Sequence, residues 1–513
     1  MGLIKARLAR ISTIGLGAGL AAFVVGSSAA TSTNATHVAK GKYVVHEATT
    51  LAIPNLNGIL SNSVESTQQI YPTLVRITGQ GGLAPDLATS WSSNPAGTVW
   101  TFTLHKNVQN SDGTPLTPQD VVWTFQTDLA TPTSLVRPNI SAFLPPDGSG
   151  ITASGNTVTF NLTTPDATWP RTTSLVPIVS QHEYEKIGAN AFSTAPVGAG
   201  PYEVVGFNPG VRLVVKANPH YFLGPPPVTY VTEDIIGDET ARLNALKSGA
   251  IDVATLTAAT EDSARADKKL KVVAVQSNNV SYLGYNVTNP ALASPKLREA
   301  IGLAIDRAAI AKSIYNGEST PTGQLLAPVT FGYDPTVKPE AYDPAQAKQL
   351  VQQSGYSGQT INLNYPSAIN VAAASQLAQA IQGYLQAVGI NVNLVPEDST
   401  TFIQDWFGKK FSGMYLFSFQ PSTLDGALVY NLLMHSSQYA TDSNAEQMFT
   451  AQNNQPNPRQ RRQILQQIGH TLVQVDHWFT PLFVNSRVYA WNPAKVRITP
   501  RPDGYLWPQY FKR

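Results

Sequence analysis

Residues 110–125 read NSDGTPLTPQDVVWTF. Two acids, two prolines and a glycine stand directly against an apolar run, so Asp112 and Asp120 are either a catalytic pair or residues that shape the backbone. Local physics favours the backbone. Asp112-Gly113 is a tight-turn pair, because Asp tolerates a left-handed backbone and Gly adopts one without steric cost. Thr117 suits an N-cap, and Pro118 suits the first helical turn, where its missing N–H is not needed. Asp120, three residues past the cap, is placed to reach back like the acid of a capping box and to complement the positive helix end. Val122, Phe125 and Leu129 then recur on one helical face. The stretch therefore reads as a turn followed by a capped helix, ahead of a carboxylate dyad.

Outward from this stretch the first half is rich in strands. Residues 99–104 (VWTFTL) alternate Trp100, Phe102 and Leu104 against Val99, Thr101 and Thr103, and 157–162 (TVTFNL) alternate likewise. Ser154-Gly155-Asn156 is placed to turn a hairpin into the second run. Residues 202–205 and 211–215 are further strands, joined by Asn208-Pro209-Gly210. A helix over 239–248 stops at Gly249, and 251–256 (IDVATL) reads as a strand. Beyond it the type alternates. Strands are expected at 280–287, 360–366, 390–395, 414–419 and 481–485. Helices are expected at 295–315, 370–388, 399–407 (capped by Ser399 or Thr400) and 457–475. Such alternation implies a mainly parallel α/β sheet.

A chain of 513 residues is too long for one ordinary core, so two or more domains or lobes are expected. Lys+Arg (35) nearly balances Asp+Glu (33), which leaves no electrostatic footprint for nucleic acid. Residues 1–30 differ from the rest. Lys5, Arg7 and Arg10 precede a mostly apolar run, 11–25, and then the small residues GSSAATS. That is the layout of a secretory signal peptide, cleaved near Ala29 or Ala30, with an uncleaved anchor as the alternative. Arg7 and Arg10 are not adjacent, so general secretion is the expected route. Residues 31–42 read as a linker. There are no cysteines, which excludes disulfides, thiolate catalysis, Cys-ligated metals and a lipidated cysteine. The product is expected free of the membrane, periplasmic or secreted.

Catalytic signatures are missing. The eight histidines form no HExxH pair, and neither a G-x-S-x-G elbow nor a GxxxxGK[ST] loop occurs. Gly198-Ala199-Gly200 lacks the third glycine of a dinucleotide fingerprint and precedes a strand, so it reads as a turn. We expect no enzyme and no cofactor. An exported hydrolase whose triad is assembled from distant residues stays as the alternative. Eight Trp and 20 Tyr serve core packing, and a cleft for organic ligands would use some of them as flat walls.

Six motifs in order carry a resemblance. They are LAPDLATSW (83–91) with VWTFTLHKNVQNSDGTPLTPQDVVWTF (99–125), PVGAGPYEVVGF (196–207), ANPHYF (217–222), ARLNALKSGAIDVA (241–254), YLGYNVTNPALASPKLREAIGLAIDRAAI (282–310) and YDPAQAKQLVQQSGY (342–356). The chain from about Tyr43 to Arg513 resembles the extracytoplasmic solute-binding proteins of ABC transporters in the oligopeptide, dipeptide and nickel group, solute-binding family 5. The resemblance implies an α/β, two-lobed clamshell of the periplasmic-binding-protein type (class II), with an extra subdomain in the first lobe. Lobe I would comprise 43–75, 196–281 and 486–513, its subdomain 76–195 and lobe II 282–485, with the hinge near 281 and 486. It also implies a small organic solute or peptide bound between the lobes, a membrane permease with its ATPase as partners, and a monomer.

The peptide-binding members of that family carry a tryptophan followed by an acid that pairs with the ligand's α-amine. The matching stretch is FSFQPSTLDGALVYNLL (417–433). Aligned without gaps on Asp425, Phe419 takes the aromatic position and Ser422 that of the acid. Ser422 cannot supply a charge-assisted bond. Asp425 corresponds to a separate acid before the following helix, where an N-cap is its plain role. Ligand-binding residues are thus expected at Phe419, Ser422 and Asp425. Nickel-chelate binders of the family use a histidine near this part of lobe II, which makes His435 a weak candidate for a metal ligand.

Overall fold

The computed structural model describes residues 43–49, 53–61, 64–367, 371–436, 439–440 and 442–513; the expected signal peptide (1–30) and linker (31–42) lie outside them. The opening stretch folds by its local chemistry. Asp112 Oδ1 accepts from Thr114 N (3.0 Å) and Thr114 Oγ1 (2.6 Å), and Gly113 sits at φ 87°. The helix Pro118–Ala130 follows. Asp120 Oδ2 accepts from Thr117 N and Thr117 Oγ1, both at 2.7 Å, the reciprocal bond of a capping box. The helix buries Val121, Thr124, Phe125, Asp128 and Leu129. Val122, expected on this face, is only half-buried at its edge, because Val121 lies closer to the Phe125–Leu129 line.

That face covers a four-stranded antiparallel sheet in the order Ala88–Ser93, Val99–Leu104, Thr157–Asn161, Ile151–Ser154. Phe160 meets both Phe102 and Phe125, with ring centroids 5.6 Å (Phe102–Phe160) and 4.8 Å (Phe125–Phe160) apart, and Trp169 closes the cluster 5.4 Å from Phe160. Such edge-to-face pairs add roughly 0.5–1.5 kcal/mol each beyond area burial.

The second sheet runs through the whole molecule. Its order is Val392–Glu397, Ile361–Pro366, Met414–Phe419, Lys271–Tyr285, Phe479–Trp491, Val253–Leu256, Val44–Thr49, Tyr230–Ile235, Arg212–Ala217, Tyr202–Asn208. The expectation of a mainly parallel sheet is corrected here. Parallel pairs occur at Val44–Thr49 with both neighbours and among Ile361–Pro366, Val392–Glu397 and Met414–Phe419, but the centre and the 202–235 edge are antiparallel. The reason is that Lys271–Tyr285 and Phe479–Trp491 are long strands shared by both ends of the sheet. They pair continuously from Lys271↔Trp491 to Gln276↔Ser486, lose register, and resume at Val280↔Val484. On one side the core gathers Val45, Tyr71, Leu213, Val231, Tyr489 and Trp491. On the other, two cores surround Leu283, Leu363 and Leu416, and Tyr282, Phe417 and Phe479. These are the two lobes of an α/β clamshell.

Helix boundaries differ from expectation where side chains compete with the backbone. The single helix expected at 295–315 is two, Pro295–Ala304 and Arg307–Ile314, because Asp306 caps the second by accepting from Ala309 N (2.9 Å). The helix Ser399–Phe407 is capped by Asp398, not Ser399 or Thr400; its Oδ1 accepts from Thr400 N (3.1 Å) and Thr401 N (3.0 Å). The helix expected at 457–475 is α-helical over Pro458–His470 and π-helical over Thr471–Val475. Among the described residues no helix is long and apolar enough to cross a membrane.

Candidate functional site

Three short segments meet where the region of the four-stranded sheet faces the second lobe. In that region, Asp166 Oδ1 accepts from Thr168 N (2.8 Å) and Oγ1 (2.7 Å), starting the short helix Trp169–Thr173. Trp169 is sunk into the aromatic cluster, which turns Arg171 toward the second lobe. In the second lobe, Asp425 starts the helix Gly426–Asn431, accepting from Ala427 N at 3.0 Å. The helix Pro458–His470 presents Arg461.

Asp425 is 2% exposed and fully engaged. Arg461 grips it with both terminal nitrogens, Nη1 to Oδ2 at 2.9 Å and Nη2 to Oδ1 at 2.6 Å. Arg171 Nε lies 3.2 Å from Oδ2. Arg171 Nη1 also donates to Thr423 O (2.9 Å) and Nη2 to Gly81 O (2.6 Å). Burial alone would raise the Asp425 carboxyl, but the charge and hydrogen bonds of Arg461, joined by Arg171, outweigh it and hold it below the usual carboxylate range. Neighbouring Asp166 is pushed up to about 6 by burial, against the pull of its Thr168 bonds.

Beside this cluster a cavity of about 250 Å³ lies between these two regions. The region of the four-stranded sheet lines it with Asn139, Phe143, Arg171 and Leu175, the second lobe with Asp425, Leu428, Asn431 and Phe449. On the other side of the 422–425 segment is a void of about 20 Å³ walled by Ser422, Leu424, Ser174, Tyr505 and Trp507. A larger pocket of about 410 Å³ adjoins through Ile77, Tyr505 and Trp507, but its walls come only from 76–84 and 489–511.

The structure thus brings Asp425 to the interlobe cavity and Ser422 to the neighbouring void. Phe419 is elsewhere, half-buried against the second-lobe core at the end of Met414–Phe419, where it pairs with Val280. His435 Nδ1 contacts Asn431 Oδ1 at 2.9 Å and its Nε2 contacts Glu446 Oε2 at 2.7 Å. Both ring nitrogens therefore have partners, and among the described residues no group of three or more His, Asp or Glu could hold a metal ion. Arg171 and Arg461 were not singled out in the sequence. Neither sits in a local pattern, since the partner of Arg171 lies more than 250 residues away.

The geometry agrees with the comparisons. Residues 82–441 match the model of bacterial extracellular solute-binding proteins, family 5 Middle, and the chain belongs to that family. Among similar proteins is the probable ABC transporter periplasmic-binding protein SapA of Escherichia coli (strain K12), 29% identical over 337 residues, 61% of this chain and 62% of SapA. The matched part thus spans less than two thirds of that relative. The fold is similar to the ABC transporter-associated periplasmic binding protein DppA from Helicobacter pylori in complex with peptide STSA (TM-score 0.78, 21% identity, 92% of this chain and 98% of that one). It is also similar to NikA from Brucella suis in complex with Fe(III)-EDTA (TM-score 0.81, 19% identity, 91% and 99%).

Proposed function

We propose that this protein is the extracytoplasmic solute receptor of an ABC importer, a non-catalytic monomer that binds an organic solute between its lobes and delivers it to a membrane permease and its ATPase. Residues 43–75, 196–281 and 486–513 form lobe I, 76–195 its subdomain and 282–485 lobe II. The family membership and the cavity walled by both lobes support this reading. A cavity of about 250 Å³ suits a compact solute. Roughly 150 Å³ takes a benzene-sized molecule, so something on the order of ten to fifteen non-hydrogen atoms is expected.

The observation that carries the ligand class is the state of Asp425. Among the described residues it is the one acidic side chain lining the cavity, and two arginines already hold it. A protonated amine entering a closed, dry cleft needs a counter-charge, because a buried unpaired ion costs several kcal/mol. Ser422 offers only a neutral hydrogen bond. The solute is therefore one without a free ammonium group, such as a blocked or cyclic peptide, a sugar or another neutral molecule. A metal chelate held by His435 is the lesser reading, since both ring nitrogens are engaged. Native mass spectrometry of protein purified without denaturation will show a small neutral solute. Recovery of linear peptides whose binding is abolished by N-acetylation would sink the neutral class. Steady hydrolysis of peptides or esters, lost on a single serine or histidine change, would sink the receptor reading itself.

A further inference from the structure

Arg171 belongs to the first lobe by its backbone and to the second by its bonds. Its helix is fixed behind Trp169, and Nη2 donates to Gly81 O on its own side. Nη1 and Nε cross the cleft to Thr423 O and Asp425 Oδ2. We infer that Arg171 is the closing latch of this receptor, a positioning residue that docks into the second lobe and holds the lobes together before any solute is bound. The inference rests on the reading of the molecule as a receptor that opens and closes.

Three features make the contact a latch rather than a permanent brace. First, Asp425 stays satisfied when Arg171 leaves. Arg461 and Gln452 lie in the same lobe as Asp425, and Arg461 Nε donates to Gln452 Oε1 at 3.0 Å while both its terminal nitrogens remain on Asp425. Opening therefore strands no buried carboxylate, which is the costly event when an ion pair is broken. Second, Arg171 keeps 13% of its side chain accessible in the closed state, so its charge has a short path to water. Third, the closed state is not over-stabilised. Among the described residues, Thr423 Oγ1 and Asp166 Oδ2 are buried there without partners, and each unmet polar group opposes closure. The open state therefore stays within reach, so a solute can enter the adjoining cavity, and its differential affinity for the closed state then adds to the hold of the latch.

The latch has a neighbour of the same kind. Ala167 N donates to Asn453 O at 2.8 Å across the same gap. That bond is neutral and made by the backbone, so it survives any change at position 171 and does not mask the effect of one.

The chain has no cysteine, so two introduced thiols can be labelled without background. Ser141 and Asn454 are exposed next to the two walls of the cavity. The variant Ser141→Cys/Asn454→Cys, carrying nitroxide labels and stripped of solute by refolding, gives the interlobe distance by double electron–electron resonance. With Arg171 present a single short distance dominates. Arg171→Met raises the fraction at longer distances fivefold or more, with the melting temperature within a few degrees of the parent. Arg171→Lys restores part of the short-distance population, because one ammonium can reach Asp425 but not both carbonyls as well. Should Arg171→Met not fold, Arg171→Gln carries the same test, since its amide can still serve Gly81 O. A distance distribution unchanged in a folded Arg171→Met or Arg171→Gln protein overturns the latch, and so does a parent that is mostly open without solute. Neither result bears on whether a solute binds, which the co-purification experiment decides separately.

Discussion

Asp120 shows what a single residue can tell in advance and what it cannot. Its bond back to Thr117 N is local and follows from a spacing of three. Its other oxygen accepts from Gln181 N (2.8 Å), which starts a helix 61 residues later, and nothing in the local spacing foretells that. Asp120→Ala therefore removes a cap, about 0.5–2 kcal/mol, and leaves a second backbone donor without its partner, about 1–3 kcal/mol. The expected loss is roughly 2–3 kcal/mol in denaturant unfolding with solute affinity unchanged. A stable variant with lost affinity would return Asp120 to the binding machinery. The same contrast holds at the site. Asp425 as an N-cap follows from its place before a helix, and that cap is present. Its commitment to Arg461 and Arg171 is not readable, because those contacts span 36 and 254 positions. Ser422 is picked out by its place in a family pattern, and the structure sets it against a void of about 20 Å³ rather than against the cavity beside Asp425.

At the scale of elements, apolar periodicity located strands well and their ends poorly. Val99–Leu104 and Met414–Phe419 match expectation residue for residue. The two long central strands were read as 280–287 and 481–485. Ser277-Asn278-Asn279 and Asn485-Ser486 interrupt the apolar pattern, and there the polar side chains bond between the two strands. Ser277 Oγ donates to Asn485 O (2.7 Å) and Asn485 Nδ2 to Ser281 Oγ (2.8 Å). Pairing of elements also creates titration behaviour. The parallel register of Val44–Thr49 and Tyr230–Ile235 sets Glu47 opposite Glu233, both buried, each with one oxygen that finds no partner among the described residues. Burial, then Glu233 and Glu65, pushes the Glu47 carboxyl up, and burial pushes Glu233 up to about 7. The folded state thus retains a proton that the unfolded chain releases near its ordinary value of 4.5. This contribution to stability is full below about pH 4.5 and is lost as the pH rises through about 7. Glu233→Gln should flatten the fall in melting temperature between pH 5 and pH 8 by roughly 1–3 °C. A slope identical to the parent's would show that the pair does not titrate in this window.

For the whole molecule, two lobes joined by paired strands imply a hinge, and closure around a solute should be visible in solution. Adding the co-purified solute at a hundredfold excess over its Kd should stabilise the fold by about 2.7 kcal/mol; in the Arg171→Met variant, whose lobes start open, it should also lower the radius of gyration in X-ray scattering. Stabilisation of that variant with an unchanged or expanded radius would contradict clamshell closure. The sequence by itself determined the local and the additive: the capped helix at Pro118–Ala130, the alternating strands, the lack of cysteine chemistry and the ordered motifs that mark the family. These depend on neighbours within a few residues, or on order along the chain. Only the tertiary structure decided that the sheet is mixed, that two strands run through both lobes, and that, among the described residues, the one acid lining the cavity is held by arginines from two separate segments. Those facts arise from contacts between residues tens to hundreds of positions apart, whose energies depend on distance and burial and leave no periodic trace in the chain.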